Sequence, residues 1–343
     1  MKYRLLGKSA LRVSEFCLGT MGFGPEWGWG ADYETSKQVF DAYANAGGNF
    51  IDTANRYTEG SSEWYVGDFT KQDRDHFVVA TKYTLHDRMG DPNFSGNHKK
   101  NLQRSVRESL KRLQTDFIDL LWVHAWDFTV RPDELMRALE DMIKSGQVTH
   151  IGISDTPAWI VAQCNTIAEL RGWSAFTALQ VEYSLLQRTP ERDLIPMAKA
   201  FDMAITPWAP LAGGALTGKY LNAGETAPGR LKEGSARLND YSKSVTQVVV
   251  DVANEIGVSP SHVAIQWTRQ REETVVPIIG AKKPEQIIDS IEASKVILSP
   301  EQLKKLNEVS KIELGFPHDF LLQDGVKQLS YSGERQNIID LKR

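Results

Sequence analysis

The amino-acid sequence predicts an α/β fold: a (β/α)8 TIM barrel formed by one domain across residues 1–343. Three observations support this prediction. From Ser14 onward, short apolar runs alternate with longer stretches of helical periodicity, in about eight strand–helix units. The apolar runs are nearly continuous, which is typical of parallel strands covered by helices on both faces. No break in composition divides the chain, so we expect one barrel rather than the two domains that its length alone would allow.

Each element is predicted from its local pattern. The predicted strands, in chain order, are residues 14–18, 49–52, 77–82, 117–123, 148–153, 178–181, 204–205 and 274–277. The predicted helices between the earlier strands are residues 33–45, 61–69, 98–113, 132–145 and 159–170. An open doubly wound sheet is the alternative, but the glycines after the first strand do not form the GxGxxG fingerprint usual in such sheets.

Two segments lie outside the predicted barrel. Residues 2–13 have the pattern of a short β-hairpin that turns at 7–9, with room to cover the bottom of the barrel. Residues 312–343 form a C-terminal extension without clear periodicity. We therefore expect the length beyond that of a simple barrel to lie in this hairpin, in the rim loops and in the extension.

Composition excludes several classes of protein. Hydrophobic residues make up 41% of the chain and charged residues 24%, which is unlike a disordered or collagenous protein. The net charge of −4 provides no basic field that would attract nucleic acid. The chain has no apolar signal segment and no run of about 18 apolar residues, so we expect a cytoplasmic protein with no membrane contact. Cys17 and Cys164 lie in apolar segments, which favours buried free thiols over a disulfide.

Four ionisable residues are predicted to converge at one end of the barrel. Three successive strands end at Asp52, Lys82 and His124, and Tyr57 follows Asp52 in the next loop. The carboxyl ends of barrel strands share one rim, where barrel enzymes place their chemistry. Any one of these residues alone would more often be structural, for example as a helix cap. Their joint occurrence at consecutive strand ends is what indicates a functional site.

This set of groups suits the reduction of a carbonyl. A carbonyl that receives hydride becomes an alkoxide and needs a proton donor at its oxygen. The ordinary pKa of tyrosine, near 10, is too high for reversible proton transfer at neutral pH, and an adjacent ammonium such as Lys82 lowers it. Asp52 can pair with and orient Lys82, and His124 can donate a hydrogen bond that polarises the carbonyl oxygen.

The chain resembles the aldo-keto reductase superfamily along nearly its whole length. The resemblance rests on segments that lie in order in separate barrel units: LGKSALRVSEFCLGTMGFG, GNFIDTANRY, QVEYSLLQR and PIIGAKKPEQI. In style the chain is similar to the branch of aryl-alcohol dehydrogenase-like reductases and potassium-channel β subunits. The resemblance implies a barrel without a metal that binds an extended nicotinamide cofactor across its rim. It also implies that Asp52, Tyr57, Lys82 and His124 form a catalytic tetrad, with Tyr57 as the general acid in reduction.

The resemblance places the nicotinamide end of the cofactor at several strand ends. The implied contacts are Gly19, Thr20, Met21, Asp52, Ser154, Gln180 and Trp208. Ser154 and Gln180 would hold the carboxamide, and Trp208 would stack on the ring. Two positions depart from the family's usual pattern, since Asp155 stands where Asn is usual and Trp208 where Tyr is usual.

The phosphate end is assigned to two later segments. The implied contacts are Leu211, Gly213, Gly214 and Lys219 for the pyrophosphate, and Gly280, Lys282 and Gln286 for the adenosine phosphate. Lys282 replaces the usual Arg, and Ser290 the usual Asn. Because a lysine pairs with a 2′-phosphate as a point charge, NADP is the expected cofactor, with NAD as the alternative. The run GGALTGK within this region also resembles a P-loop, but Tyr220 stands where that motif needs Ser or Thr.

Three tryptophans indicate the kind of substrate. Trp27, Trp29 and Trp126 lie in predicted strand-to-helix loops on the catalytic side. An aromatic-lined cleft would suit an aromatic aldehyde, a ketone or a sugar-like ring. The alternative is that these side chains only pack the long loops onto the barrel.

The sequence thus predicts an NADP(H)-dependent oxidoreductase that interconverts an aldehyde or ketone and an alcohol. A cofactor-binding, redox-sensing regulatory subunit with slow turnover is the alternative from a different class, and the chain has no evident docking element for that role. A metal-dependent barrel hydrolase is disfavoured because the chain has no HxH or HExxH pair. The expected partner is a small carbonyl or alcohol, and homo-oligomerisation is left open.

Overall fold

A computed structural model of the chain describes residues 1–222, 231, 234–271 and 274–338. It contains the predicted barrel, a parallel sheet preceded by an antiparallel hairpin. The strands of the described residues are β1 (Tyr3–Leu5), β2 (Arg12–Ser14), β3 (Cys17–Gly19), β4 (Phe50–Asp52), β5 (Val78–Tyr83), β6 (Ile118–Val123), β7 (Val148–Ser154), β8 (Ala178–Glu182), β9 (Ala204–Trp208) and β10 (Ile278–Ile279). Eight of them form one sheet in the order β10-β3-β4-β5-β6-β7-β8-β9.

The sheet closes between β9 and the segment just before β10. Val276 N donates to Ile205 O at 2.8 Å, and Ile205 N donates to Thr274 O at 3.0 Å. This closure corrects the last predicted strand, because residues 274–277 form only an isolated bridge and the ladder with β3 begins at Ile278. Pro277 has no N–H to donate to a ladder, so regular pairing starts after it.

The N-terminal hairpin covers the amino ends of the strands, as predicted. The predicted strand 14–18 is divided, since Ser14 pairs within the hairpin and the barrel strand starts at Cys17. Gly7 lies in the turn with φ +55°, and a Cβ there would be 2.3 Å from Thr177 O, just before β8. Only glycine fits this close backbone approach. The hairpin therefore closes the bottom of the barrel and leaves the opposite rim open.

The helices surround the barrel close to where the periodicity predicts them. The helices of the described residues are α1 (Tyr33–Asn45), α2 (Ser61–Thr70), α3 (Lys99–Leu113), α4 (Pro132–Lys144), α5 (Ala158–Arg171), α6 (Leu194–Ala200), α7 (Lys219–Asn222), α8 (Asp240–Ile256), α9 (Pro260–Arg271), α10 (Pro284–Glu292), α11 (Pro300–Val309), α12 (His318–Leu321) and α13 (Asp324–Ser330). The last two lie in the predicted extension, whose residues 339–343 fall outside the described part. No helix of the described residues is both long and apolar enough to cross a membrane.

A buried apolar layer fills the lower half of the barrel. Trp122 lies fully buried within it, and a Cβ on Gly152 would approach the Trp122 ring to 2.4 Å. Small residues around this ring make room for it, and they include Ala80, Ala178 and Ala204. Because the lower barrel is closed by side chains, polar groups at the carboxyl rim have an apolar floor beneath them. Cys17 and Cys164 are buried free thiols, as predicted.

Candidate active site

Lys82 is the centre of the polar cluster at the carboxyl rim. Its side chain, on β5, is fully buried. Its Nζ donates to Asp52 Oδ2 at 2.5 Å, to Thr53 O at 2.9 Å and to Tyr57 OH at 3.1 Å. A buried ammonium is tolerated only when it is paired and hydrogen-bonded, and these three acceptors use all of its protons.

The second oxygen of Asp52 is bound from across the barrel. Gln180 Nε2, on β8, donates to Asp52 Oδ1 at 3.0 Å, and both side chains are buried. The carboxylate is therefore bound on both oxygens by groups from two different strands. We name the group Asp52, Tyr57, Lys82 and Gln180 the proton-transfer cluster.

Tyr57 is held by a strained turn that begins at its own position. The next three residues, Thr58, Glu59 and Gly60, all have positive φ angles of 46°, 56° and 98°. A β-branched residue in this region is disfavoured, and such strain persists only where surrounding contacts enforce it. Here Thr58 Oγ1 donates to Phe23 O at 2.6 Å, which ties the turn to the loop after β3.

The electrostatics of the cluster set its protonation states. Burial raises the pKa of Tyr57 by more than Lys82 lowers it, so the expected influence of Lys82 is present but does not prevail. Burial alone would lower the pKa of Lys82, yet Asp52 and Tyr57 together raise it above its usual range. At neutral pH the cluster thus contains a protonated phenol beside a charged ammonium.

His124 lies beside Tyr57, directly after β6. The two rings meet edge to face, with centroids 6.0 Å apart and planes at 81°. Burial, with the Lys82 charge, holds the pKa of His124 well below 6.5, so its imidazole is neutral. Its Nδ1 is buried and has no hydrogen-bond partner in the described part of the chain. A buried ring nitrogen without a partner is suited to a ligand atom.

Two of the three predicted tryptophans lie near Tyr57 at the carboxyl rim. Trp27 lies edge-on to Tyr57 at 6.4 Å, and its Nε1 donates to Glu59 Oε1 at 3.1 Å. The Trp29 ring lies 6.0 Å from Trp27. Trp126 differs because its side chain is buried in the apolar core between barrel and helices. Trp126 therefore fits the alternative in which the tryptophan only packs its loop onto the barrel. Trp27 and Trp29 are half-buried, and Trp27 lies beside Tyr57.

The residues predicted near the nicotinamide ring lie at the same rim. Ser154 ends β7 and is buried, and Trp208 ends β9, where its Nε1 donates to Asp155 Oδ1 at 3.3 Å. Thr20 Oγ1 donates to Asp52 O at 3.0 Å, so this side chain joins two strand ends. Gly19 ends β3, and Met21 follows in the loop.

The predicted pyrophosphate segment forms a glycine turn flanked by cations. Leu211 precedes a 3-10 turn in which Gly213 and Gly214 have φ angles of 70° and 95°. A Cβ on Gly214 would lie 3.3 Å from Lys219 Nζ, and one on Gly213 would lie 3.4 Å from Arg237 NH1. Successive left-handed residues turn backbone N–H groups to one side and form an anion-binding concavity.

Arg237 is a further cation beside this glycine turn, and the sequence pattern did not predict it. It lies before α8 in a segment without a recognisable motif, and only the fold brings it beside Gly213. Its guanidinium forms an ion pair with Glu182 and lies 5.9 Å from the Trp208 ring. A basic residue in the same strand-to-helix connection as Lys219 was the available signal.

The predicted adenosine-phosphate segment follows β10. Lys282 N donates to Gln286 Oε1 at 2.9 Å, so Gln286 holds the start of α10. Lys282 Nζ lies 5.5 Å above the Trp29 ring and is otherwise exposed, and Gly280 lies between β10 and this lysine. Ser290 Oγ is taken up within the helix, where it donates to Gln286 O at 2.9 Å.

Comparison with known proteins identifies the chain's relatives. The profile of the Aldo/keto reductase family matches residues 15–311. The chain belongs to the aldo/keto reductase family. It is 37% identical to norsolorinic acid reductase A of Aspergillus parasiticus over 332 residues, which cover 94% of this chain and 84% of that protein. It is also 37% identical to the aryl-alcohol dehydrogenase [NADP(+)] of Phanerodontia chrysosporium over 335 residues, or 92% and 87% of the two chains.

Membership of the aldo/keto reductase family confirms the predicted fold and the resemblance, and it makes the protein an oxidoreductase. Three of the four tetrad candidates, Asp52, Tyr57 and Lys82, are joined directly by hydrogen bonds, and His124 contacts the Tyr57 ring. Among the described residues no group of His, Cys, Asp and Glu side chains is arranged to hold a metal ion.

Proposed function

We propose that this protein is an NADP(H)-dependent oxidoreductase that interconverts an aromatic aldehyde or ketone and the corresponding alcohol, with Tyr57 as general acid and base. One observation carries the proposal. Lys82 Nζ binds the Tyr57 hydroxyl and the Asp52 carboxylate at the same time at the carboxyl rim of the barrel, where Lys82 and Asp52 are buried. A phenol held by a charged ammonium is the arrangement that stabilises a transient tyrosinate.

In the reducing direction Tyr57 donates its proton to the substrate oxygen. Lys82 stabilises the negative charge that this transfer leaves on the phenol, and Asp52 keeps the ammonium in place. The neutral His124 ring donates a hydrogen bond to the same oxygen, so charge that develops there meets two donors. In the oxidising direction Tyr57 takes the proton back.

A nicotinamide cofactor fits the residues at this rim, because a glycine turn with two adjacent cations lies near the Trp208 ring, and Trp27 lies beside Tyr57. When bound, the cofactor supplies or accepts the hydride. The residues that would hold its ring are Gly19, Thr20, Met21, Asp52, Ser154, Gln180 and Trp208. Those that would hold its phosphates are Leu211, Gly213, Gly214, Lys219, Arg237, Gly280, Lys282 and Gln286.

Two lines of support favour NADP and an aromatic substrate. The exposed Lys282 offers a point charge for a 2′-phosphate, and one relative carries NADP(+) in its name. Trp27 lies beside Tyr57, and Trp29 lies beside Trp27. The relatives are named for an aryl alcohol and for norsolorinic acid. Flat aromatic walls favour a flat ring between or against them.

The decisive experiment replaces Tyr57 and follows NADPH absorbance with a panel of aromatic aldehydes, repeated with NADH. Tyr57→Phe keeps the ring and removes the acidic proton, so we expect turnover to fall by at least about 100-fold while NADPH binding persists. Tyr33→Phe is the matched control, since Tyr33 is exposed on α1 and its hydroxyl donates to Asp68 on α2, away from the proton-transfer cluster.

Other results would contradict the proposal in distinct ways. Retained turnover in Tyr57→Phe would remove Tyr57 from its role. Binding of NADPH without turnover of any carbonyl would favour the regulatory-subunit alternative. Failure of the wild type to bind either cofactor would overturn the NADP(H) assignment itself.

A further inference from the structure

Asp155 places a second carboxylate at the cleft, apart from the proton-transfer cluster. It directly follows β7, and its side chain is reached by solvent. Its Oδ1 accepts from Trp208 Nε1 at 3.3 Å, and its backbone oxygen accepts from Trp126 N at 3.3 Å. Its φ of +40° lies in the left-handed region, which Asp and Asn tolerate better than other side chains. The carboxylate is therefore held at a defined point of the rim.

In the described part of the chain, no ion pair neutralises the charge of Asp155. Lys82 binds Asp52, and Arg237 forms its ion pair with Glu182. No ion pair within 4.0 Å joins Asp155 to any cation of the described residues. Its hydrogen-bond donor, Trp208, is neutral.

Asp155 lies at the same rim as the proton-transfer cluster. Ser154, just before it, pairs with Gln180 in the sheet, and Gln180 binds Asp52. Asp155 is one of the groups that raise the pKa of Tyr57, after burial and the Asp52 charge. A hydride donor must approach within about 3–3.5 Å of the carbonyl carbon whose oxygen takes the Tyr57 proton. A nicotinamide that works with Tyr57 therefore shares this rim with Asp155.

We propose that Asp155 is a specificity-determining residue for the oxidation state of the cofactor, favouring the cationic oxidised nicotinamide over the neutral reduced ring. This inference rests on the proposed function. When a hydride with its two electrons leaves the ring for the carbonyl carbon, one C–H bond breaks and another forms. The substrate oxygen takes the Tyr57 proton, and the ring gains one positive charge. Asp155 attracts that charge and so favours the alcohol and the oxidised cofactor on the protein.

The test compares binding of the two cofactor states by wild type and Asp155→Asn. Asn keeps the shape, tolerates the left-handed backbone and still accepts a hydrogen bond from Trp208, so only the charge is lost. We measure the Kd of NADP+ and of NADPH on the whole chain by quenching of tryptophan fluorescence, at about pH 8, well above ordinary carboxyl pKa values. We expect the Kd of NADP+ to rise by about tenfold, with that of NADPH changed by less than about twofold.

A control variant tests whether net charge alone produces the effect. Asp116→Asn makes the same change in net charge in the exposed loop before β6, at the opposite end of the barrel, and should leave both Kd values unchanged.

The outcomes distinguish the two proposals. Equal changes in both Kd values for Asp155→Asn, or no change in either, would overturn the role of Asp155 and leave the proposed function standing. A wild type that binds neither NADP+ nor NADPH would contradict the proposed function itself.

Discussion

The proton-transfer cluster and the predicted phosphate-binding region are built in opposite ways. Asp52, Lys82 and Gln180 lie on strands, are buried, and bind one another directly. Lys219 and Lys282 lie at loop and helix starts and are exposed. Groups that transfer a proton need fixed geometry before the substrate arrives, so rigid strands suit them. Groups that receive a polyanion need open approach and backbone N–H donors, which loops with glycine supply.

The variant with the largest expected effect removes Lys82, the centre of the buried proton-transfer cluster. Lys82→Met leaves Asp52 as a buried charge without its cation, so we expect the free energy of unfolding to fall by about 3–5 kcal/mol. Turnover should fall by at least about 100-fold, because the Tyr57 phenolate loses its stabilising charge. Thermal unfolding and NADPH absorbance measure the two effects.

A double variant supplies the control for stability. Asp52→Asn combined with Lys82→Met removes both charges, so part of the lost stability should return while turnover stays low. Unchanged stability in Lys82→Met alone would show that the cluster does not depend on this pair.

Substitution in the exposed phosphate-binding region should affect cofactor binding and not stability. Lys282→Ala removes an exposed point charge that lies over the Trp29 ring, so we expect little change in the free energy of unfolding. The Kd of NADPH should rise by about tenfold, since a charge-assisted contact to the 2′-phosphate is lost, and the Kd of NADH should not change. Lys283→Ala, the adjacent exposed lysine, is the matched control. An equal rise for both cofactors would contradict a role in recognising the 2′-phosphate.

The sequence predicts the residues at the ends of the barrel strands. Asp52, Lys82 and His124 were predictable because each follows a short apolar run, and parallel strands carry their carboxyl ends to one rim. Local pattern and shared topology suffice for such residues. The hydrogen bond between Lys82 and Asp52 joins two neighbouring strands of the sheet.

Contacts across the barrel were not predictable in the same way. The bond between Gln180 and Asp52 joins strands that are not neighbours in the sheet, and it depends on which side chains fill the interior. Arg237 lies beside Gly213, and no local pattern in the sequence links these two residues. The pairing of Asp155 with Trp208 also depends on the left-handed backbone at Asp155, which periodicity does not reveal.

The smallest expected effect is the pH dependence of carbonyl reduction. Tyr57 acts as an acid when protonated, and burial raises its pKa above the ordinary value of 10, so the active form persists through neutral pH. The pKa of His124 lies well below 6.5, so this ring stays neutral over the same range. We therefore expect kcat/KM for reduction to vary by less than about twofold between about pH 6.5 and 9, and to fall only as Tyr57 loses its proton above that range.

An inflection near pH 6.5 that disappears in His124→Gln would show instead that His124 titrates in the working site. Water would then reach the His124 ring more readily than its contact with Tyr57 indicates. His124 would in that case belong with the solvent-exposed groups of the phosphate-binding region and not with the buried proton-transfer cluster.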